Sequence, residues 1–276
     1  MGQHPVSGGR AAPGLLFLFL ALWALAACGR GAGPEAGPMA GDGVIRYVAL
    51  GDSLATGSGA EQGYVERYAA ALVAGTDAEV TVANLGVPGW TSDDLLAALR
   101  TDPAFQEAVQ GADVVTWDIG GNDALITRAR YRLGLCGGPD NQACLRSGLE
   151  RFRRNWDAIL AELLRLRPEG AVLLTMDLYN PFAAQDRRAD SWPNDGGATD
   201  LEVFAPYLEA MNRHIQTTAE AAGVRAVRLS RAFNGDGDGG APATDRYLAP
   251  DGIHPNDAGH AVIARLLAEA AAAPTA

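Results

Sequence analysis

The sequence predicts an α/β fold built on a five-stranded parallel sheet. Three observations carry the prediction. From Val44 onward, five short apolar runs alternate with longer helix-like ones, the order that lays parallel strands beneath crossover helices on both faces. The longer runs carry helix signals, with a Ser cap at the start of 92–100 and a proline beyond the end of the longest. Finally, 276 residues with 48% hydrophobic and 20% charged content suit one α/β domain of common size behind a removable N-terminus.

The elements follow in order. "VIRYVAL" (44–50) reads as the first strand and "GYVERYAAALVAG" (63–75) as the first helix. "EVTVANL" (79–85) is the second strand. "SDDLLAALR" (92–100) opens with a Ser cap and acidic residues, which favour a helix N-terminus. "ADVVTWDIG" (112–120) is the third strand. Residues 143–167 form the longest helix, stopped by Pro168. "AVLLTMDL" (171–178) is a strand, 201–222 a helix and "VRAVRLS" (224–230) the last strand. Residues 255–273 close the chain as a helix whose apolar positions 262, 263, 266 and 267 keep helical spacing. Residues 179–200 carry no period, and a segment of that length reads as a lid, a binding loop or disorder.

The N-terminus reads as an address. Residues 1–14 carry one positive side chain, Arg10, and "LLFLFLALWALAAC" follows, apolar from Leu15 to Ala27. That is the length of a signal-peptide core and short for a bilayer span. Its end, "LAAC", resembles a bacterial lipobox, which implies cleavage before Cys28 and a lipid on its thiol. The expected organisation is a lipoprotein-type signal at 1–27, a Gly/Pro/Ala-rich tether at 28–43 and a folded domain at 44–273. The chain is then extracytoplasmic, either anchored or secreted. In that setting Cys136 and Cys144, flanking a Gly-Pro turn, pair as a disulfide; no His or further Cys accompanies them to make a metal site.

Charge and composition exclude several functions. At a net charge of −11, nucleic acid and anionic bilayers are poor partners, so membrane association rests on the lipid anchor. All 22 basic residues are arginine, which removes Schiff-base and Ser-Lys chemistry. No cofactor and no metal is expected, and nothing asks for more than a monomer.

Four groups of polar residues lie just past predicted strands or before the last helix: Gly51-Asp52-Ser53, "NLGVPG" (84–89), "GGND" (120–123) and "DGIHP" (251–255). In a parallel sheet they converge on one edge, where ligands bind. Their chemistry suits ester cleavage. A serine hydroxyl needs an adjacent base to attack a carbonyl. His254 can take and return a proton, and Asp251, if the chain turns at Gly252, can fix its tautomer. The Ser53 N–H, a loop glycine N–H and the Asn122 amide can hold an oxyanion.

Together these blocks resemble the SGNH (GDSL) hydrolase family, lipase/esterase type, in the family's order. The resemblance implies a three-layer, flavodoxin-like α/β/α domain. It implies Ser53 as nucleophile, Asp251 and His254 as the other triad members, and Ser53, Gly89 and Asn122 as oxyanion donors. Gly86 is the rival of Gly89. Substrates left open are simple esters and lipids, lysophospholipid-like amphiphiles and acetylated glycans.

Blander readings stand beside these. Ser53 can be a helix cap, Asn122 a turn residue, and Asp251 a turn residue beside a Ser-His dyad. Asp52 reads as structural and Asp123 as a brace for Asn122; His214 and His260 read as surface residues of helices. "NGDGDGGAPATD" (234–245) has some of the oxygen spacing of a calcium loop, although Pro242 interrupts it. Two other functions remain open: acyl transfer to a glycan hydroxyl, and a non-catalytic binding module on the same fold.

Overall fold

The computed structural model describes residues 43–76, 78–235 and 244–273, with the side chains of 244 and 245 left aside. Residues 1–42, with Cys28, and most of the calcium-like segment lie outside the described residues. The elements run β1 (Val44–Leu50), α1 (Tyr64–Thr76), β2 (Glu79–Asn84), α2 (Ser92–Thr101), α3 (Pro103–Gln110), β3 (Val114–Trp117), α4 (Gly121–Arg132), α5 (Ala143–Leu166), β4 (Val172–Met176), α6 (Ala183–Asp186), α7 (Asp200–Ala221), β5 (Arg225–Val227), α8 (Leu229–Asn234), α9 (Thr244–Tyr247) and α10 (Asp257–Ala272). The five strands form one all-parallel sheet in the order β2-β1-β3-β4-β5.

Strand alternation assigns side chains to two layers. Val48, Leu50, Val115 and Trp117 face α2, α3, α5 and α7, where Leu99, Phe105, Trp156, Leu163 and Ile215 complete one core. Ile45, Tyr47, Ala49, Val114 and Met176 face α1, α8 and α10, with Tyr68, Phe233, Ile263 and Leu267 in the other. Each buried side chain of this size contributes about 1.5–3 kcal/mol. The expected three layers are therefore present. The edge strand β2 departs from the expectation that both faces are covered: Thr81 to Asn84 are exposed.

Several expected elements are trimmed. The third strand ends at Trp117 because α4 begins at Gly121, which puts "GGND" on a helix N-terminus. The last strand spans only Arg225–Val227, and Leu229 already starts α8. Helix α7 opens on a capping box in which Thr199 and Glu202 each bond the other's backbone N–H. The irregular stretch 179–200 contains α6 and a 3-10 turn at Pro193–Asp195. It is tied down at two buried carboxylates. Asp186 meets the Arg128 guanidinium, and Asp200 accepts from Ser191 and meets Arg132. Both arginines come from one face of α4, four residues apart. Cys136 and Cys144 are joined as a disulfide beside the start of α5.

Candidate active site

Beyond β1 the chain turns without entering a helix. Residues 51–63 form successive turns and α1 starts only at Tyr64, so Ser53 caps no helix. Asp52 folds under the turn, accepting the Leu54 N–H at 2.9 Å, as its structural reading requires. The second block closes over it. Asn84 donates to the Ala55 carbonyl at 2.7 Å, and the Val87 N–H reaches the Gly51 carbonyl at 3.0 Å.

The fourth block arrives from the far end of the chain. Gly252 has φ +70°, a left-handed turn that glycine adopts at little cost. That turn brings Asp251 back beneath His254. One carboxylate oxygen accepts from the Ile253 and His254 N–H groups at 2.9 and 3.0 Å. The other lies 2.6 Å from His254 Nδ1, while His254 Nε2 lies 2.8 Å from Ser53 Oγ. Partial burial pushes the Asp251 carboxyl up, but the Ile253 N–H, the His254 ring and the His254 N–H outweigh it and leave its pKa below the ordinary value. The Tyr179 hydroxyl donates to the Ile253 carbonyl at 2.6 Å and props the loop from β4's side.

The candidate oxyanion donors differ in readiness. Among the described residues the Ser53 and Gly89 N–H groups have no hydrogen-bond acceptor. The Gly86 N–H is taken by Asn84 Oδ1 at 3.1 Å, and a Cβ on Gly86 would lie 2.6 Å from that of Ala55. Gly86 is thus a close-packing position, while Gly89 sits in an open turn at φ +84°. The Asn122 amide donates to the Trp90 carbonyl at 2.8 Å and to Asp52 at 3.1 Å, joining the first three blocks. Asp123 does not brace Asn122 directly; it accepts from the N–H and hydroxyl of Ser92 at 2.9 and 2.6 Å, holding α4 to α2.

The profile of the GDSL-like lipase/acylhydrolase family matches residues 49–262. The chain belongs to the GDSL-like lipase/acylhydrolase family. Spore germination lipase LipC of Bacillus licheniformis is 26% identical over 229 residues, covering 81% of this chain and 94% of that protein. YpmR of Bacillus subtilis, an uncharacterised protein, is 28% identical over 229 residues, covering 82% and 81%. The lipase Lip_vut3 from a goat rumen metagenome shares the fold at TM-score 0.64 and 24% identity, over 82% of this chain and 97% of that one. Axe2, an acetylxylan esterase from Geobacillus stearothermophilus, does so at TM-score 0.57 and 19% identity, over 86% and 97%. The chain is a carboxylic ester hydrolase of this GDSL-like family.

Beneath the GDSL turn lies a polar network that no motif signalled. Asp118, just past β3, accepts from the Tyr64 hydroxyl at 2.8 Å and from the Asp52 N–H at 3.3 Å. Burial, then the charge of Asp52, pushes the Asp118 carboxyl well above the usual carboxylate range. Burial raises the Asp52 carboxyl as well, opposed first by the Leu54 N–H, and Asp52 accepts from the Asn122 amide at 3.1 Å. The one visible signal is a charged residue at the end of an apolar strand, "VVTWD".

The two remaining described histidines depart from expectation in different degrees. His214 is half-buried and meets Asp157 at 2.7 Å. His260 is not a surface residue at all; it is fully buried. Its Nδ1 accepts the Tyr64 N–H at 3.1 Å and its Nε2 faces the Ser58 carbonyl at 3.2 Å. Of the calcium-like segment, Asn234 is already engaged with the Asn180 backbone through both ends of its amide; 236–243 lie outside the described residues. Among the described residues no three His, Cys, Asp or Glu side chains gather as a metal site would require.

Proposed function

We propose that this esterase works through an acyl-enzyme on Ser53. His254 Nε2 takes the hydroxyl proton as Oγ attacks the ester carbonyl, and then delivers it to the departing alkoxide. Water attacks the acyl-enzyme in the second half, giving a proton to His254, which returns it to Ser53 Oγ as the acyl–Oγ bond breaks and the carboxylic acid leaves. Asp251 holds Nδ1–H and stabilises the imidazolium formed at each attack. The tetrahedral oxyanion takes the Ser53 and Gly89 N–H groups, and the Asn122 amide joins them by sharing a hydrogen now given to Asp52 or Trp90. The observation that carries the reading is the unbroken chain Ser53 Oγ, His254 and Asp251 at 2.8 and 2.6 Å.

The N-terminal reading belongs with it. A leader at 1–27, a lipid on Cys28 and a tether at 28–43 would hold a monomeric 44–273 domain outside the cytoplasm, beside lipid and glycan esters. Palmitate incorporation lost in Cys28→Ala tests the anchor.

The experiment for the site is a fluorophosphonate label read beside p-nitrophenyl acetate hydrolysis. Wild type takes one label and turns over; Ser53→Ala does neither. A folded wild-type protein that neither labels nor hydrolyses is a binding module and sinks the proposal.

A further inference from the structure

A cavity of about 120 Å³ opens beside Ser53, Asn122 and His254. A single water needs about 10–15 Å³, so the space far exceeds the methyl of an acetyl group. It runs between α4, α5, α7 and the 178–186 segment. Past the mouth its walls include Leu125, Leu149, Leu178, Phe182, Leu208 and Met211. Most polar side chains on those walls are already occupied by the protein. The Tyr179 hydroxyl bonds the Ile253 carbonyl, Tyr207 bonds Gln142, and Thr127 bonds the Asp123 carbonyl; Asn180 accepts from the Phe182 N–H and keeps its amide donors for the cavity. A sugar ring entering here would leave most of its hydroxyls without partners, at a cost of about 1–3 kcal/mol each. An alkyl chain would lose nothing.

The far wall is unusual for an apolar pocket. Arg128 forks onto Asp186, with Nε 3.0 Å from Oδ2, and its guanidinium lies 4.0 Å over the Phe182 ring. Asp186 takes the N–H edge of the guanidinium, Phe182 covers one face and the Phe204 ring lies 5.6 Å away, so the pair forms a neutral stop. Gly121, Leu125 and Arg128 line the cavity at i, i+4 and i+7 of α4, so they share one face, and seven residues span about 10.5 Å at roughly 1.5 Å per residue. An extended alkyl chain with bonds of about 1.5 Å advances roughly 1.25 Å per carbon, so about eight carbons fill that length.

We propose that this cavity is the acyl site, and that it selects esters of medium-chain fatty acids, about six to ten carbons long, by seating the chain along α4 until it meets the Arg128–Asp186 pair. The proposal rests on Ser53 being the nucleophile whose acyl group points into the cavity.

The test is a series of p-nitrophenyl esters from C2 to C16. For wild type, kcat/KM should rise about two- to fourfold per added methylene up to about C8, then level and fall by C12–C16. In Leu208→Trp, and separately in Leu149→Trp, the C8-to-C2 ratio should drop at least tenfold as the indole fills the channel. The double variant Arg128→Leu/Asp186→Leu keeps the walls apolar and removes the stop, so its optimum should move to C12 or longer; this arm stands even where a Trp variant fails to fold. A wild-type kcat/KM that falls steadily from C2 upward, with Ser53 still labelled, overturns the acyl site and leaves the esterase intact. A rise that continues to C16 in wild type, or an unmoved optimum in the double variant, overturns the stop. Absence of label and of turnover on every ester is the failure of the Ser53 reading itself.

Discussion

His254 and His260 sit six residues apart and grip the same stretch of chain, residues 53–64, in opposite protonation patterns. His254 faces a carboxylate at Nδ1, so that nitrogen carries the proton and Nε2 is left as a lone pair for Ser53. His260 receives the Tyr64 N–H at Nδ1, so its proton sits on Nε2, toward the Ser58 carbonyl. The first is partly open, with 27% of its side chain exposed; the second is sealed, at 0%. A base must reach solvent and substrate and be free to become an imidazolium. A strut must do neither. Under the proposed mechanism, identical rings are thus assigned to different work by which groups face their two nitrogens.

Three measurements press on that contrast, beginning with the largest effect. His254→Ala should lower kcat/KM by about 10³–10⁴-fold or more, since the nucleophile loses its base, while circular dichroism and melting temperature stay near wild type. A comparable rate loss in His260→Gln would dissolve the distinction. Next, His260→Leu leaves the buried Tyr64 N–H without an acceptor and should cost about 1–3 kcal/mol of stability by urea unfolding. His260→Gln can present an oxygen to Tyr64 and an N–H to Ser58, and should recover part of it.

The smallest effect is on pH. Burial, aided by the charge of Arg67, holds the His260 pKa below 6.5, against opposing pulls from the Ser58 carbonyl, Asp257 and Glu66. Between that lowered value and 6.5 the unfolded chain binds more proton than the folded one. The contribution is therefore complete above about pH 6.5 and lost progressively as pH falls. Buried carboxyls with raised pKa values, Asp52 and Asp118 among them, slope the other way. The wild-type curve minus the His260→Gln curve isolates the histidine. A difference that does not change between pH 7 and pH 5 would mean that His260 titrates normally.

What the sequence made legible follows from the topology. In a parallel sheet every strand's exit lies on one edge, so the strand-ending blocks and the "DGIHP" loop converge without any knowledge of packing. The 251–254 geometry is local and rests on a glycine turn, which is why it was readable. Contacts across the chain were not. Asp186 meets Arg128 across 58 residues and Tyr64 meets Asp118 across 54, and neither partner carries a periodic signal. Helix α4, "GNDALITRARYR", escaped because its apolar residues form no continuous stripe. Helix α3 also went unread, although it carried a signal, with Asp102 as cap and Pro103 at its first position. His260 also had a signal: it shares the i, i+3, i+4, i+7 stripe of Ile263, Ala264 and Leu267. Residue type, read ahead of position, sent it to the surface.

The Ser53–His254 contact spans 201 residues of chain, and Asp251–His254 only three. Synthesis runs from the N-terminus at about 5–20 residues per second, so the serine leaves the ribosome roughly 10–40 s before its base. Throughout that interval the nascent chain bears a hydroxyl with nothing to activate it. On the proposed mechanism, a chain broken off anywhere before residue 254 lacks the base and hydrolyses no ester, so translation past the DGIHP loop serves as the arming step.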